Sequence, residues 1–189
     1  MFTKEEIKRS LLGCFEVVLF MRAGVERFEG TREAAIRSFL IPLFLLPVTL
    51  LALIALSEGF SASLLLSLHT IRIVLSVVLF FAAVYFLSKQ YDRGKYFYKF
   101  VTVANWINIP SMILVMPIVF ALFVQGVDME SMKAYAVFIT MLGYVYSAFI
   151  ITHCFRFPWE MGGFIAIIGL AIDQNLLEFA TYIRDVVAV

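Results

Sequence analysis

Apolar and polar residues follow one rhythm at the start of this chain and another beyond residue 38. In the first segment Ile7, Leu11, Cys14, Phe15, Val18 and Leu19 recur at three- and four-residue steps, with Lys4, Lys8, Arg9 and Glu16 mostly elsewhere. That spacing predicts an amphipathic helix of about 20 residues. Thr3-Lys4-Glu5-Glu6 opens it as a capping box, Thr3 accepting from the amide three residues on and Glu6 reaching back. Gly24 and Gly30 break the pattern, and Thr31 offers a second N-cap ahead of Arg32-Glu33.

From there the rhythm becomes long apolar runs. They predict spans over 38–56, 70–88, 100–124, 134–155 and 159–183, each matching the roughly 20 residues that cross about 30 Å of hydrocarbon. The helix starting at Thr31 is expected to run unbroken into the first span. Pro42 and Pro47 in that span, and Pro110 and Pro117 in the third, predict kinks. The apolar segment from Phe60 to Leu68 is too short to cross and reads as a re-entrant or interfacial piece. Residues 1–30 then form a cytoplasmic amphipathic helix and linker, and residues 31–189 a five-helix transmembrane domain.

Composition strengthens this reading. Of 189 residues, 62% are hydrophobic and 15% charged, and the mean hydropathy is +0.95, against about 45–50% and about 25% in soluble domains. A soluble fold of this size has too little interior to hide such a sequence, so its solvent is lipid. The expected fold class is all-α: a polytopic membrane helix bundle with five transmembrane helices and an N-terminal amphipathic interfacial helix. A net charge of +1 gives no field for a nucleic-acid partner. Cys14 and Cys154 form no framework and read as free thiols. No cleavable signal peptide is expected, because charged, helix-patterned residues precede the first long apolar run.

Lys and Arg placement sets the orientation. Twelve precede the first span or lie in the links after the second and fourth, and three (Arg72, Lys133 and Arg184) fall on the other side. The positive-inside rule puts the N-terminus and the Arg93 loop in the cytoplasm and the C-terminus outside, as in a bacterial inner membrane. Tyr91, Tyr96, Tyr98 and Trp159 fit an aromatic belt at the same face.

In so apolar a sequence the polar exceptions carry the information. Asp173-Gln174-Asn175 lie in the fifth span, Asp173 about 18 Å beyond Met161 and near or just past the midplane. The three cannot share one helix face, since Asp173 and Asn175 diverge by about 200°. Either several neighbouring helices receive them, or the helix is locally interrupted, or the span ends early. The site is then an ion- or proton-responsive carboxylate or an interhelical hydrogen-bond clamp. Asn105 and Asn108 point to one side of the third span, as interhelical glue or as a substrate contact. Pro110 frees a carbonyl on the turn before it, which is expected to complete a small polar pocket, and Asn108 and Asp173 are placed at similar depth. Arg72 either snorkels outward near His69 or turns inward to pair with Asp173 or Glu178, and snorkelling is the simpler reading. His69 and His153 fall at opposite faces, which excludes a shared metal site. Gly143 with Ser147, and Gly162, Ala166 and Gly169, offer close helix approach.

No phosphate loop, HExxH or GxSxG is present, and the Lys89–Lys99 connection is too short for a catalytic domain. No enzyme and no cofactor are expected. Phe100-Val101-Thr102-Val103-Ala104 leading to Asn105, then Ile109-Pro110 and a long apolar run, resembles the third helix of the Ypt-interacting-protein (YIP) family. The likeness covers roughly Lys99 to Asn175. It implies five spans and a cytoplasmic N-terminal segment. The Asp-Leu-Tyr-Gly-Pro motif of that family's GTPase-linked members is absent, so only topology is carried over. Two functions are expected from this reading. The first is a YIP-like, non-catalytic scaffold or accessory protein of the lipid bilayer that organises other membrane proteins or self-associates. The alternative is a small transporter or channel subunit with a polar site around Asp173.

Overall fold

The computed structural model of the chain describes residues 2–55, 62–123, 125 and 129–187. Among these, helices α1 (Lys4–Val18), α2 (Arg22–Glu26), α3 (Arg32–Ser38), α4 (Leu40–Ala55), α5 (Ala62–Gln90), α6 (Phe97–Trp106), α7 (Asn108–Phe123), α8 (Met129–Phe155) and α9 (Trp159–Val187) follow one another, with a 3-10 turn before α6 and no strand. Five stretches are long and apolar enough to cross a membrane: Arg32–Leu50, Ser63–Gln90, Gly94–Ala121, Glu130–Phe155 and Trp159–Val186. Leu56 and Val124, the expected ends of the first and third spans, lie outside the described residues.

Two of the five stretches are broken, and the same chemistry breaks both. The helix expected to run unbroken from Thr31 stops at Ser38 and restarts at Leu40. Pro42 lies four residues after Ser38, has no N–H for that carbonyl, and crowds it with its ring. Pro110 stands in the same relation to Trp106, where α6 ends before α7 begins. The carbonyl so freed does not complete a polar pocket: Trp106 O accepts the Cys14 thiol at 3.4 Å. Pro47 and Pro117 stay inside α4 and α7.

The re-entrant piece expected at Phe60–Leu68 is a correction as well. Residues 62–68 form the first turns of α5, while Phe60 and Ser61 lie outside the described residues. No Gly or Pro interrupts that stretch, and Ser67 and Thr70 donate back to Ser63 O and Leu66 O within the helix. Nor is the fifth span interrupted at Asp173–Asn175 or finished early; α9 is continuous to Val187.

The five stretches close into a ring. Helix α4 packs on α5, α5 on α9, α9 on α8, α8 on α6 and α7, and α7 back on α4. Gly162 lets α8 and α9 approach closely: a Cβ there would stand 2.7 Å from Ala148 O and 2.0 Å from Thr152 Oγ1. Gly169 seats the Phe80 ring of α5. One end of the ring is filled by aromatic rings, Phe81–Phe100 at 5.8 Å, Phe100–Phe155 at 5.4 Å and Phe155–Phe157 at 5.5 Å. Such pairs stabilise by about 0.5–1.5 kcal/mol each beyond area burial.

The N-terminal helices lie across that same end. Thr3 caps α1 by accepting from Glu6 N at 3.1 Å, but Glu6 does not reach back; it pairs with Arg37 at 3.1 Å. Gly24 does not simply end a helix: it sits in α2 against Gly13, where a Cβ would lie 2.7 Å from Gly13 O. Arg27 holds Glu16 through two 2.6 Å bonds, Arg9 pairs with Glu29, and Lys99 reaches Glu26 at 2.5 Å. Phe20 turns the chain after α1 at φ 56°, a left-handed conformation costing about 1–2 kcal/mol in a non-glycine residue. Its ring stacks on Tyr146 at 4.8 Å and meets Phe149 edge-on at 5.4 Å, which offsets that strain. Tyr146 Oη closes the contact by donating to Val18 O at 2.9 Å.

Candidate functional site

Inside the ring a cleft of about 570 Å³ opens between α4, α5, α6–α7 and α8. Its polar wall comes from two short periodic rows and two single residues. Helices α6 and α7 supply Asn105, Asn108 and Ser111 at three-residue steps. Helix α8 supplies Thr140, Tyr144 and Ser147, spaced four and three apart so that they share a face. Helix α4 adds Thr49 and α5 adds Arg72. The remaining wall is apolar, with Leu45, Leu46, Val77, Phe80 and Phe81 prominent.

Arg72 and Asp173 form the charged element of the site. Arg72 Nη1 stands 2.8 Å from Asp173 Oδ1, and the Ser76 hydroxyl donates to the same oxygen at 3.3 Å. Arg72 therefore does not snorkel away from the bundle; its side chain is only 12% exposed. A guanidinium that stayed unpaired at that burial would be far costlier than the pair. Asp173 is the more open partner at 42%. Counting 1.5 Å per residue, Asp173 lies about 21 Å along α9 from Trp159, and Arg72 about 24 Å along α5 from Ser88. Asp173 thus sits at the midpoint of α9, as expected for a residue near the midplane, and Arg72 four residues past the midpoint of α5 as counted from its Gln90 end.

The other expected site residues separate. Asn105 is buried and donates from Nδ2 to Ser38 Oγ at 2.8 Å, tying α6 to α3 across both proline breaks. Asn108 does not meet Asp173; it turns back to Ala104 O at 3.0 Å and Asn105 O at 3.1 Å. Gln174 and Asn175 face outward, and Asn175 donates to Ala171 O at 2.7 Å. Glu178 is exposed, and among the described residues no ion pair reaches it. His69 is half-buried near Arg72, with a buried Nδ1 that has no partner. Gly143 and Ser147 do not bring helices together, because a Cβ on Gly143 would meet nothing within 4 Å; both line the cleft. Among the described residues no three His, Cys, Asp or Glu side chains gather to hold a metal ion.

Sequence reading missed Thr49, Ser76, Ser111, Thr140, Tyr144 and Ser147. A signal was present in both rows: Asn105-Asn108-Ser111 and Thr140-Tyr144-Ser147 each keep helical spacing within an apolar run. Outside the five stretches, burial pushes the Cys14 thiol up to about 12. The hydrogen bond from Arg27 holds the Glu16 carboxyl below its ordinary range, and that from Lys99 does the same for Glu26. These groups fasten the N-terminal layer and stand apart from the cleft. Set against protein-family models, curated proteins and solved structures, the chain matches none of them.

Proposed function

We propose that the chain is a non-catalytic integral membrane protein that holds a small molecule in the central cleft, as a binding or transport subunit, with its N-terminus and Arg93 loop in the cytoplasm of a bacterial cell. The observation that carries this reading is the cleft itself. Its volume falls within the range of about 300–1,000 Å³ typical of small-molecule sites, and its mostly apolar wall bears a few convergent polar groups, as such sites do. Support for the bilayer comes from the outer surface, where Phe44 (77%), Ile113 (67%) and Ile71 (64%) are among many large apolar side chains left exposed. The uneven distribution of Lys and Arg supports the orientation.

The test is whether filling the cleft displaces something. Because a side chain at Gly143 enters open space, Gly143→Phe occludes the cleft without forcing backbone apart. Protein purified in lipid nanodiscs is expected to carry one small molecule per chain, detectable by native mass spectrometry, and Gly143→Phe is expected to lack it. Identical spectra for the two proteins would overturn the reading.

A scaffold reading keeps one observation in its favour. On α1 the residues turned to the bundle are Ser10, Gly13, Cys14 and Val17, while Ile7, Leu11, Phe15 and Leu19 form an outward row, Phe15 being 62% exposed. Lipid is the cover this row fits, with α1 lying in the interface. A Phe15→Trp protein in vesicles with brominated lipid should then be quenched more than wild type, and equal quenching would count against an interfacial role.

A further inference from the structure

The hydrogen bonds along the cleft wall say more than its shape, because most of the donors there are already engaged. Thr49 donates to Leu45 O (3.2 Å), Ser111 to Ile107 O (2.8 Å), Thr140 to Ala136 O (2.8 Å) and Ser147 to Gly143 O (2.9 Å). A carbonyl oxygen only accepts, so each hydroxyl hydrogen points into its own helix and leaves lone pairs free. The two asparagines obey the same logic. Asn108 Nδ2 faces two backbone carbonyls. Asn105 Nδ2 faces Ser38 Oγ, whose own hydrogen is held by Ala35 O at 2.7 Å, so that oxygen must accept. Both side-chain amide oxygens are left as acceptors. Six polar residues from three directions therefore present oxygen lone pairs, while the one lining cation, Arg72, spends Nη1 on Asp173 and keeps a buried Nε–H without a partner.

We infer that the cleft takes a neutral, hydroxyl-headed amphiphile, such as a monoacylglycerol or a long-chain alcohol, its hydroxyls donating to the Asn108, Ser111 and Thr140 side chains and its tail lying along Leu46, Val77 and Phe81. The inference rests on the proposed small-molecule cleft and names the chemistry of its occupant. A carboxylate or phosphate head would set its oxygens against acceptors and compete with Asp173 for Arg72. An ammonium head would bring an extra positive charge beside a guanidinium whose counter-ion is taken, in a low-dielectric surround where an unpaired charge is strongly disfavoured. A neutral hydroxyl avoids both costs, and its apolar tail finds the walls it needs.

Equilibrium binding to the full chain in nanodiscs tests this with three probes sharing a twelve-carbon tail: monododecanoylglycerol, dodecylammonium and dodecyl phosphate. Saturable binding of the glycerol ester above the Gly143→Phe background is expected, with both charged probes at least about tenfold weaker. Ser111→Ala and Thr140→Val, each conservative in shape, are expected to weaken it by about three- to tenfold, the equivalent of one hydrogen bond. If either charged probe binds as tightly or more tightly, or if neither substitution changes affinity, the neutral-donor inference falls while the small-molecule cleft stands. If no probe exceeds the Gly143→Phe background, the cleft reading falls with it.

Discussion

Arg72 and Asp173 show at the scale of single residues how an apolar helix bundle tolerates charge. Each would be costly alone in an apolar surround, and at 2.8 Å each removes most of the other's penalty. Removing one partner should therefore hurt more than removing both. Arg72→Leu or Asp173→Leu alone is expected to lower unfolding stability by about 1–3 kcal/mol, less than for a fully enclosed pair because Asp173 is 42% exposed. The double substitution should recover much of that loss, and a cycle of thermal unfolding measurements in detergent reads the coupling. Strictly additive losses would mean the pair does not interact. Cys14 offers a second probe at this scale. With its thiol pushed up to about 12 by burial, it is almost entirely un-ionised at pH 8, and alkylation there should be slow in the folded protein.

Helices and breaks set the next scale, and they show what the sequence could and could not disclose. The apolar runs alone located the five long stretches, since no other segment among the described residues is both as long and as apolar. Both proline breaks were foreseeable as kinks, yet their place was not, because the helix fails four residues before each proline rather than at it. The Arg72–Asp173 pair joins residues 101 apart in sequence, and no local pattern prefers that contact to snorkelling. The α1–α2 crossing was hidden for a similar reason: Gly24 looks like a helix breaker until its helix is seen to touch α1 at Gly13. Gly24→Ala should force them apart, because the new Cβ meets backbone on α1, at a cost of about 1–3 kcal/mol. Faster alkylation of Cys14, resolved by mass spectrometry of its peptide, would report that separation, and an unchanged rate would refute the close crossing. The same layer should respond to acid. Lys99 holds the Glu26 carboxyl below its ordinary range, and Arg156 and Arg22 add to the effect. A depressed folded pKa contributes stability above the unfolded carboxyl value of about 4.3 and loses it as pH falls through the folded value. Spin-label distances between α2 and α6 should thus hold from pH 7 to about pH 5 and lengthen below about pH 4. Lys99→Gln should abolish that pH dependence.

At the scale of the whole molecule, the described residues form a ring of five long apolar stretches, two of them broken, covered at one end by a charged, tightly tied N-terminal layer and hollow toward the other. The order of packing around the ring is first, second, fifth, fourth and third stretch, so the second stretch stands between the first and the fifth. The proposed five crossings would put the Lys- and Arg-rich links on one face of the bilayer and the C-terminal turn of α9 on the other. The most direct test is thiol labelling of intact cells with a membrane-impermeant maleimide, using one chain with Arg93→Cys and another with Asp185→Cys. The five-crossing ring predicts labelling at residue 185 from outside, and labelling at residue 93 only after the membrane is opened. Labelling of both positions from the same side, or recovery of the chain from the aqueous fraction without detergent, would contradict it.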